Sequence, residues 1–177
     1  MATLRRFADE GSELVEFALV LPLLMILAVG IADLSNAFIL RDKLTSAARE
    51  GARIAIAQPD EDLTQPSPAT VRWVRDAILN YLDGAGVAVP LPGAAPACTG
   101  GAVTFLWTCS LNNGGTITIE RGVPVPNGAG LVISTRVTVA YPYEWSFSRI
   151  AALLGPTDLQ DSFTISSQSV MKNMPPS

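Results

Sequence analysis

The 177-residue sequence contains no histidine, only two cysteines and few charged residues, which make up 16% of the chain. Without histidine the chain lacks the commonest general base and transition-metal ligand, and a Ser-His catalytic pair is impossible. Two cysteines are too few for a metal site, so we expect no metal and no cofactor. The net charge is −4 and no basic run occurs, so nucleic acid is not an expected partner.

Two pairs of aspartates, Asp60 with Asp62 and Asp158 with Asp161, could imitate a catalytic carboxylate pair. Each pair lies in polar, loop-like sequence, and we interpret both as solvated. The sequence therefore argues against an enzyme and identifies no small-molecule substrate.

Apolar residues are abundant, at 49% of the chain. Residues 17–32 carry no charge, and apolar character resumes after Asp33 and continues to Leu40. A helix over residues 17–40 would be about 36 Å long, enough to cross a ~30 Å hydrocarbon core. Helical charge spacing continues until the first stop signal at Gln58-Pro59. We predict one continuous helix over residues 12–57, with residues 14–40 as its approximate transmembrane part.

Small residues recur at every fourth position in the second half of this helix, at Ala47, Gly51 and Ala55. They fall on one helix face, which would let another backbone approach closely. The high helix propensity of alanine explains the same pattern equally well.

The remaining sequence predicts an α+β domain over residues 58–177. After a proline-rich linker, Ser67 is the expected cap of a second, amphipathic helix, with Pro68 in its first turn and Gly84 as its terminator. Residues 85–102 are rich in glycine, alanine and proline and are expected to form a loop. The predicted apolar face of the helix comprises Val71, Val74, Ile78, Tyr81 and Leu82.

From residue 103 the apolar residues alternate with a period of two, which predicts strands. Turn signals at residues 112–115 and 127–130 separate them. A short helix is expected near residues 147–154, and a last strand contains Phe163 and Ile165. We predict an antiparallel sheet of three to four strands, covered by the projecting half of the long helix. The alternating positions are Val103, Phe105, Trp107, Cys109, Ile117, Ile119, Leu131, Ile133, Val137, Val139 and Tyr141.

A short charged leader, residues 1–11, ends in Gly11 and is followed by Ser12, with Glu16 fifth counting from Ser12. This arrangement resembles the processing signal of type IV pilins and pseudopilins. The resemblance implies that a prepilin peptidase cleaves between Gly11 and Ser12. It also implies that Glu16, followed by Phe17, sets the register between subunits by pairing with a neighbour's free amine. The alternative is that Glu16 simply lies at the membrane interface.

Two segments extend the resemblance: Val-Glu-Phe-Ala-Leu-Val-Leu-Pro at residues 15–22 and Ala-Ala-Arg-Glu-Gly-Ala-Arg at residues 47–53. They resemble the TadE-like family, minor pilin-like proteins of the tight-adherence, Flp-type pilus system. The small-residue C-terminal segment with Met171 is similar as well. The resemblance implies a pilin-like fold, partners among other pilins and the tight-adherence secretion machinery, and a role in pilus assembly or adhesion at the cell surface.

The expected topology is a single pass through the bacterial inner membrane, with a cytoplasmic N-terminus and a periplasmic domain. Basic residues on the two sides of the helix do not favour this orientation by themselves; the family resemblance does.

Cys98 and Cys109 lack the spacing of a redox motif. An oxidising compartment favours a disulfide between them over two buried thiols.

Three alternatives stay open at this point. Pro22 either kinks the helix or is merely tolerated near its start. The apolar run could be a secretory signal cleaved near residues 28–32. The chain could also be a membrane-anchored periplasmic binding or sensor domain outside any filament.

Overall fold

The computed structural model describes residues 2–58, 62–65, 67–91, 94–95, 97–101, 103–128, 130–146 and 162–173. Two helices and five strands make up the described chain, in the order α1, α2 and β1 to β5. Their bounds are α1 Ala2–Ala57, α2 Ala69–Gly84, β1 Thr99–Gly101, β2 Leu106–Ser110, β3 Thr116–Asn127, β4 Gly130–Glu144 and β5 Ser162–Lys172. The short helix expected near residues 147–154 lies outside the described residues.

The fold is α+β, as predicted, but the sheet has five strands rather than three or four. Their order is β1-β2-β3-β4-β5, and the first three pairs are antiparallel. The additional strand is β1, which lies in the segment expected to be a loop. Its sequence, Thr-Gly-Gly, has no alternating pattern, and only its pairing with β2 makes it a strand.

The chain divides into two compact units, one comprising Met1–Ala37 and Glu144–Asp161, the other Phe38–Tyr143 and Ser162–Ser177. The second unit contains the sheet and most of the buried apolar side chains. Alternation places one set of side chains on each sheet face. The buried set from β2 to β5 is Trp107, Cys109, Ile117, Ile119, Val137, Val139 and Ile165.

The C-terminal half of α1 covers the sheet, as the sequence predicted. The hydroxyl groups of Thr45 on α1 and Ser167 on β5 are 2.5 Å apart. One turn and a half further along α1, Gly51 lies against both Ile78 of α2 and Val137 of β4. Ala47, Gly51 and Ala55 are all buried, so the small-residue face allows close packing inside this unit.

Helix α2 begins differently from the prediction. The residue preceding it is Pro68, which has no side-chain hydrogen bond to offer. The Asp62 carboxylate from the linker caps the helix instead. It accepts hydrogen bonds from the Thr70 backbone N–H at 2.9 Å and the Thr70 hydroxyl at 2.6 Å. The prediction that Ser67 is the cap was wrong, because the chain fold brings a carboxylate from eight residues upstream to the free N–H group.

The Asp62 carboxyl has a lowered pKa. Burial alone would raise the pKa, but the hydrogen bonds from Thr70 stabilise the charged form and outweigh this effect.

The apolar face of α2 matches the prediction with two differences: Tyr81 is exposed, and Leu79 is buried in its place.

Cys98 and Cys109 form a disulfide across 11 positions of sequence, which confirms that prediction. The bond joins the residue before β1 to the last residue but one of β2 and so fixes the edge strand to the sheet. The strand predicted to start at Val103 begins only at Leu106. Val103 and Phe105 belong to the turn between β1 and β2, where the Phe105 N–H donates to the Gly101 carbonyl at 3.0 Å.

Candidate functional site

The backbone at Gly11 and Ser12 lies inside α1, which runs without interruption from Ala2 to Ala57. The expected cleavage bond is therefore helical in the uncleaved chain. A peptidase that binds its substrate in an extended conformation would have to unwind this part of the helix. Glycine lowers the free-energy cost of unwinding, because it destabilises a helix by about 1 kcal/mol relative to alanine.

Glu16 and Phe17, the residues expected to set subunit register, lie on one face of α1 together with Glu13 and Val20. Their spacing of three and four positions stacks these side chains over two helix turns. Both glutamates are exposed, and Phe17 is 59% exposed. The face thus combines two carboxylates with an aromatic ring and leaves all of them available for contact.

The large apolar side chains of α1 between Leu14 and Ile31 are exposed as well, apart from Val29, which is half-buried. The most apolar 18-residue window of this helix has a mean hydropathy of 2.6, and none of the window is buried. This is the one candidate membrane-spanning helix in the described part of the chain. An apolar surface of this length needs a bilayer or other apolar helices around it, which is consistent with a single-pass membrane protein.

Two residues interrupt the apolar run. Asp33 is only 2% exposed, so its carboxyl group does not face the surroundings of the helix. This position agrees with the rule that ionisable groups in membrane segments face protein rather than lipid. Pro22 lies inside α1, which continues on both sides of it, and the predicted kink remains a prediction.

The segment of residues 47–53 divides into an inner and an outer face. Ala47, Ala48, Gly51 and Ala52 are buried. Arg49 is exposed, and Glu50 forms an ion pair with Arg53 along the outer face. The two oxygens of Glu50 accept from Arg53 Nη2 at 2.6 Å and from Nε at 2.9 Å, and this contact lowers the pKa of Glu50. The small residues thus serve packing, and the charged residues remain at the surface.

Sequence reasoning missed two buried arginines: Arg75 on α2, which is 7% exposed, and Arg121 on β3, which is 4% exposed. The buried guanidinium of Arg75 forms an ion pair with Asp76 at 2.7 Å, and that of Arg121 reaches the end of α1. The Nη2 atom of Arg121 donates to the carbonyl of Gln58, the residue after α1, at 3.3 Å. The sequence signal that could have revealed the unusual position of Arg121 is the break in the alternation of apolar and polar residues at Arg121-Gly122. The structure has a β-bulge there, where the pairing of β3 with β4 shifts between Glu120 and Val123.

The aspartate pairs do not form a site that can be described. Asp62 caps α2, whereas Asp60, Asp158 and Asp161 lie outside the described residues. Within the described ranges, no group of three or more acidic or cysteine side chains could hold a metal ion. The absence of enzymatic activity stays a prediction.

Comparison with known proteins confirms the family resemblance over part of the chain. Residues 11–53 match the family model of TadE-like proteins. The match includes the leader glycine, the face with Glu16, the apolar segment and the buried small residues of α1. No curated protein and no solved structure matches the chain.

Proposed function

We propose that the chain is a minor pilin-like subunit of a tight-adherence pilus, processed by a prepilin peptidase, with a non-catalytic role in pilus assembly or adhesion. The observation that carries this proposal is the match of residues 11–53 to TadE-like proteins. That segment includes the exposed apolar part of α1 and also the part that packs on the sheet. The matched sequence thus contributes both the membrane segment and a structural element of the domain.

The proposed topology places the N-terminus in the cytoplasm and the sheet domain in the periplasm. The disulfide between Cys98 and Cys109 supports this orientation, because disulfides persist in the periplasm and are rare in the cytosol. Partners in the membrane would then be the peptidase, other pilins and the secretion machinery of the pilus.

Cleavage between Gly11 and Ser12 would create a free ammonium group at the start of the mature helix. Glu16 follows four residues later, about one helix turn away. Among packed apolar helices a lone carboxylate is unfavourable by about 3 kcal/mol. Pairing Glu16 with the ammonium group of a neighbouring subunit would remove most of this penalty and fix the axial position of the two helices.

The test compares Glu16→Leu with Glu13→Ala in cells that assemble the pilus. Both residues lie on the same face of α1, one turn apart, so the pair separates the register role from a general need for acidic charge. Glu16→Leu should remain in the membrane, because it makes the helix more apolar, but should lose crosslinks to other pilins and produce fewer surface fibres. Glu13→Ala should assemble almost normally.

Normal assembly of Glu16→Leu would refute the register role. If deletion of the chain leaves the fibres unchanged as well, the alternative of a membrane-anchored periplasmic binding or sensor domain is favoured. The measurement is fibre number by electron microscopy, with membrane retention checked by fractionation.

A further inference from the structure

Helix α2 buries one face in its unit and leaves the opposite face uncovered. Trp73, Ala77 and Asn80 follow one another along this outer face at helical spacings, and Tyr81 lies at one edge of it. Trp73 is 55% exposed and Tyr81 is 40% exposed. Tryptophan and tyrosine are the residues that contribute most to binding at protein interfaces, and the alanine between them lets another backbone approach closely.

The other edge of this face carries two opposite charges, Arg72 and Asp83, and both are exposed. They lie eleven positions apart, which is about three helix turns, so both point in the same direction. The same spacing separates them by about 16 Å along the helix, too far for a contact within one chain. Within the described part of the chain, neither side chain forms an ion pair.

We propose that this outer face of α2 binds the same face of a second copy of the chain, with the two helices antiparallel. A two-fold axis that passes between positions 77 and 78 places Arg72 of each copy opposite Asp83 of the other, because this axis lies midway between them. It also brings Trp73 of each copy level with Asn80 and Tyr81 of the other. A parallel pair would place Arg72 against Arg72 and Asp83 against Asp83, which is repulsive.

Asp76 lies on the same face close to this axis, where the two copies of its carboxylate approach each other. Its charge is compensated within each chain, because Arg75 Nη2 lies 2.7 Å from Asp76 Oδ1. The charge pattern of the face therefore suits a second copy of itself.

The same pattern argues against a membrane surface as the occupant. Helices that lie on membranes have an excess of lysine and arginine on their polar face, whereas α2 contains two arginines and two aspartates. A helix of 16 residues is about 24 Å long, so the contact is small and the dimer is expected to be weak and reversible.

The first experiment measures the dissociation constant of the dimer by sedimentation velocity on the full chain in mild detergent. Arg72→Glu and Asp83→Arg should each raise this constant about tenfold or more, because like charges then face each other in both symmetric contacts. The double variant should return to within about threefold of the wild type, because both ion pairs form again with reversed sign. Since the two residues cannot meet within one chain, the rescue reports a contact between chains.

Two control variants separate this contact from general effects of charge and apolar surface. Arg49→Glu reverses another exposed arginine, on α1 outside this face, and should leave the dissociation constant unchanged. Trp73→Ala should raise the constant about thirtyfold, as expected for a central aromatic residue of an interface. Leu131→Ala removes an exposed apolar side chain elsewhere, on β4, and should have no effect.

Crosslinking tests the direction of the two helices. Both native cysteines are in the disulfide, so an introduced cysteine supplies the reactive thiol. A short bismaleimide should join two chains of Ala77→Cys, because this position lies beside the axis. It should not join two chains of Ala69→Cys, whose two copies are about 25 Å apart in an antiparallel pair.

A monomeric wild type at the highest concentration reached, or no rescue in the double variant, would overturn the proposal. Equal crosslinking of Ala69→Cys and Ala77→Cys would overturn the antiparallel arrangement. Protection of the Ala77→Cys thiol in nanodiscs that hold a single chain would overturn the proposal in favour of the lipid surface. The inference does not rest on the proposed function, because the purified chain is measured without a pilus.

Discussion

Gly51 offers a quantitative test of how α1 packs on the domain. A Cβ atom added at this position would lie 2.5 Å from Ile78 Cδ1, 2.7 Å from Ile78 Cγ1 and 3.4 Å from Val137 Cγ1. Overpacking of this kind destabilises a core by about 1–3 kcal/mol. Alanine recovers about 1 kcal/mol through its higher helix propensity. Gly51→Ala should therefore lower the free energy of unfolding by about 0–2 kcal/mol.

Gly84→Ala is the matched control, because Gly84 also lies in a helix but a Cβ atom added there would meet nothing within 4 Å. At that position only the propensity gain applies, so this variant should be as stable as the wild type or more stable, by up to ~1 kcal/mol. The two substitutions should differ by about 1–3 kcal/mol, and each 1 kcal/mol shifts the melting temperature by about 4 °C in a domain of this size.

The double variant Gly51→Ala with Ile78→Val locates the clash. Ile78→Val alone should cost about 0.5–1.5 kcal/mol, because it removes a buried methyl group. In the Gly51→Ala background the same change makes room for the new methyl group, so the two effects should couple by about 1 kcal/mol or more. Thermal unfolding of the full chain, followed by near-UV circular dichroism in mild detergent, measures all four variants. Equal stabilisation by Gly51→Ala and Gly84→Ala, or additive effects in the double variant, would refute the packing argument.

Three further predictions concern the leader, the disulfide and the helix cap. Gly11→Leu should block cleavage and leave a full-length species on a gel, in cells with an active prepilin peptidase; N-terminal sequencing of the wild type should begin at Ser12. Replacing both Cys98 and Cys109 by serine should lower the free energy of unfolding by about 3 kcal/mol for a closed loop of this length, and an unchanged melting temperature would contradict this. Asp62→Ala should cost about 1 kcal/mol, whereas Ser67→Ala should cost nothing measurable. The pKa of Asp62 is lowered in the folded protein. The contribution of its carboxylate to the free energy of unfolding is therefore fully present above the unfolded pKa near 4 and is lost as the pH falls through the folded pKa. In Asp62→Asn this part of the pH dependence of stability should be absent.

The periodicity of the sequence predicted the main elements because each has a face that must be buried. In α2 the apolar positions repeat with the helical period, and Val71, Val74, Ile78 and Leu82 are buried as expected. The exchange of Tyr81 for Leu79 shows the limit of this reasoning. A helical pattern gives the direction of the buried face, but the neighbouring elements decide how wide that face is.

The wrong predictions for the cap of α2 and for the start of β2 have a common reason. Asp62 caps α2 from a distance of eight residues along the chain, and no local rule selects it over Ser67. Phe105 fits the alternating pattern of a strand, yet its backbone turns there because β1 pairs with β2 and the disulfide holds that pair together. Each outcome depends on contacts between segments that the sequence pattern treats separately.

The sequence by itself determined the long apolar helix, the α+β class of the domain and the resemblance over residues 11–53, because these depend on local periodicity and on short motifs. Only the tertiary structure decided what the small residues of α1 contact, where Asp33 is buried and that Arg121 reaches Gln58. These last two residues are far apart in the chain. The physical reason is that burial depends on which surfaces meet, and a side chain acquires its neighbours only when the sheet and the helices have packed together.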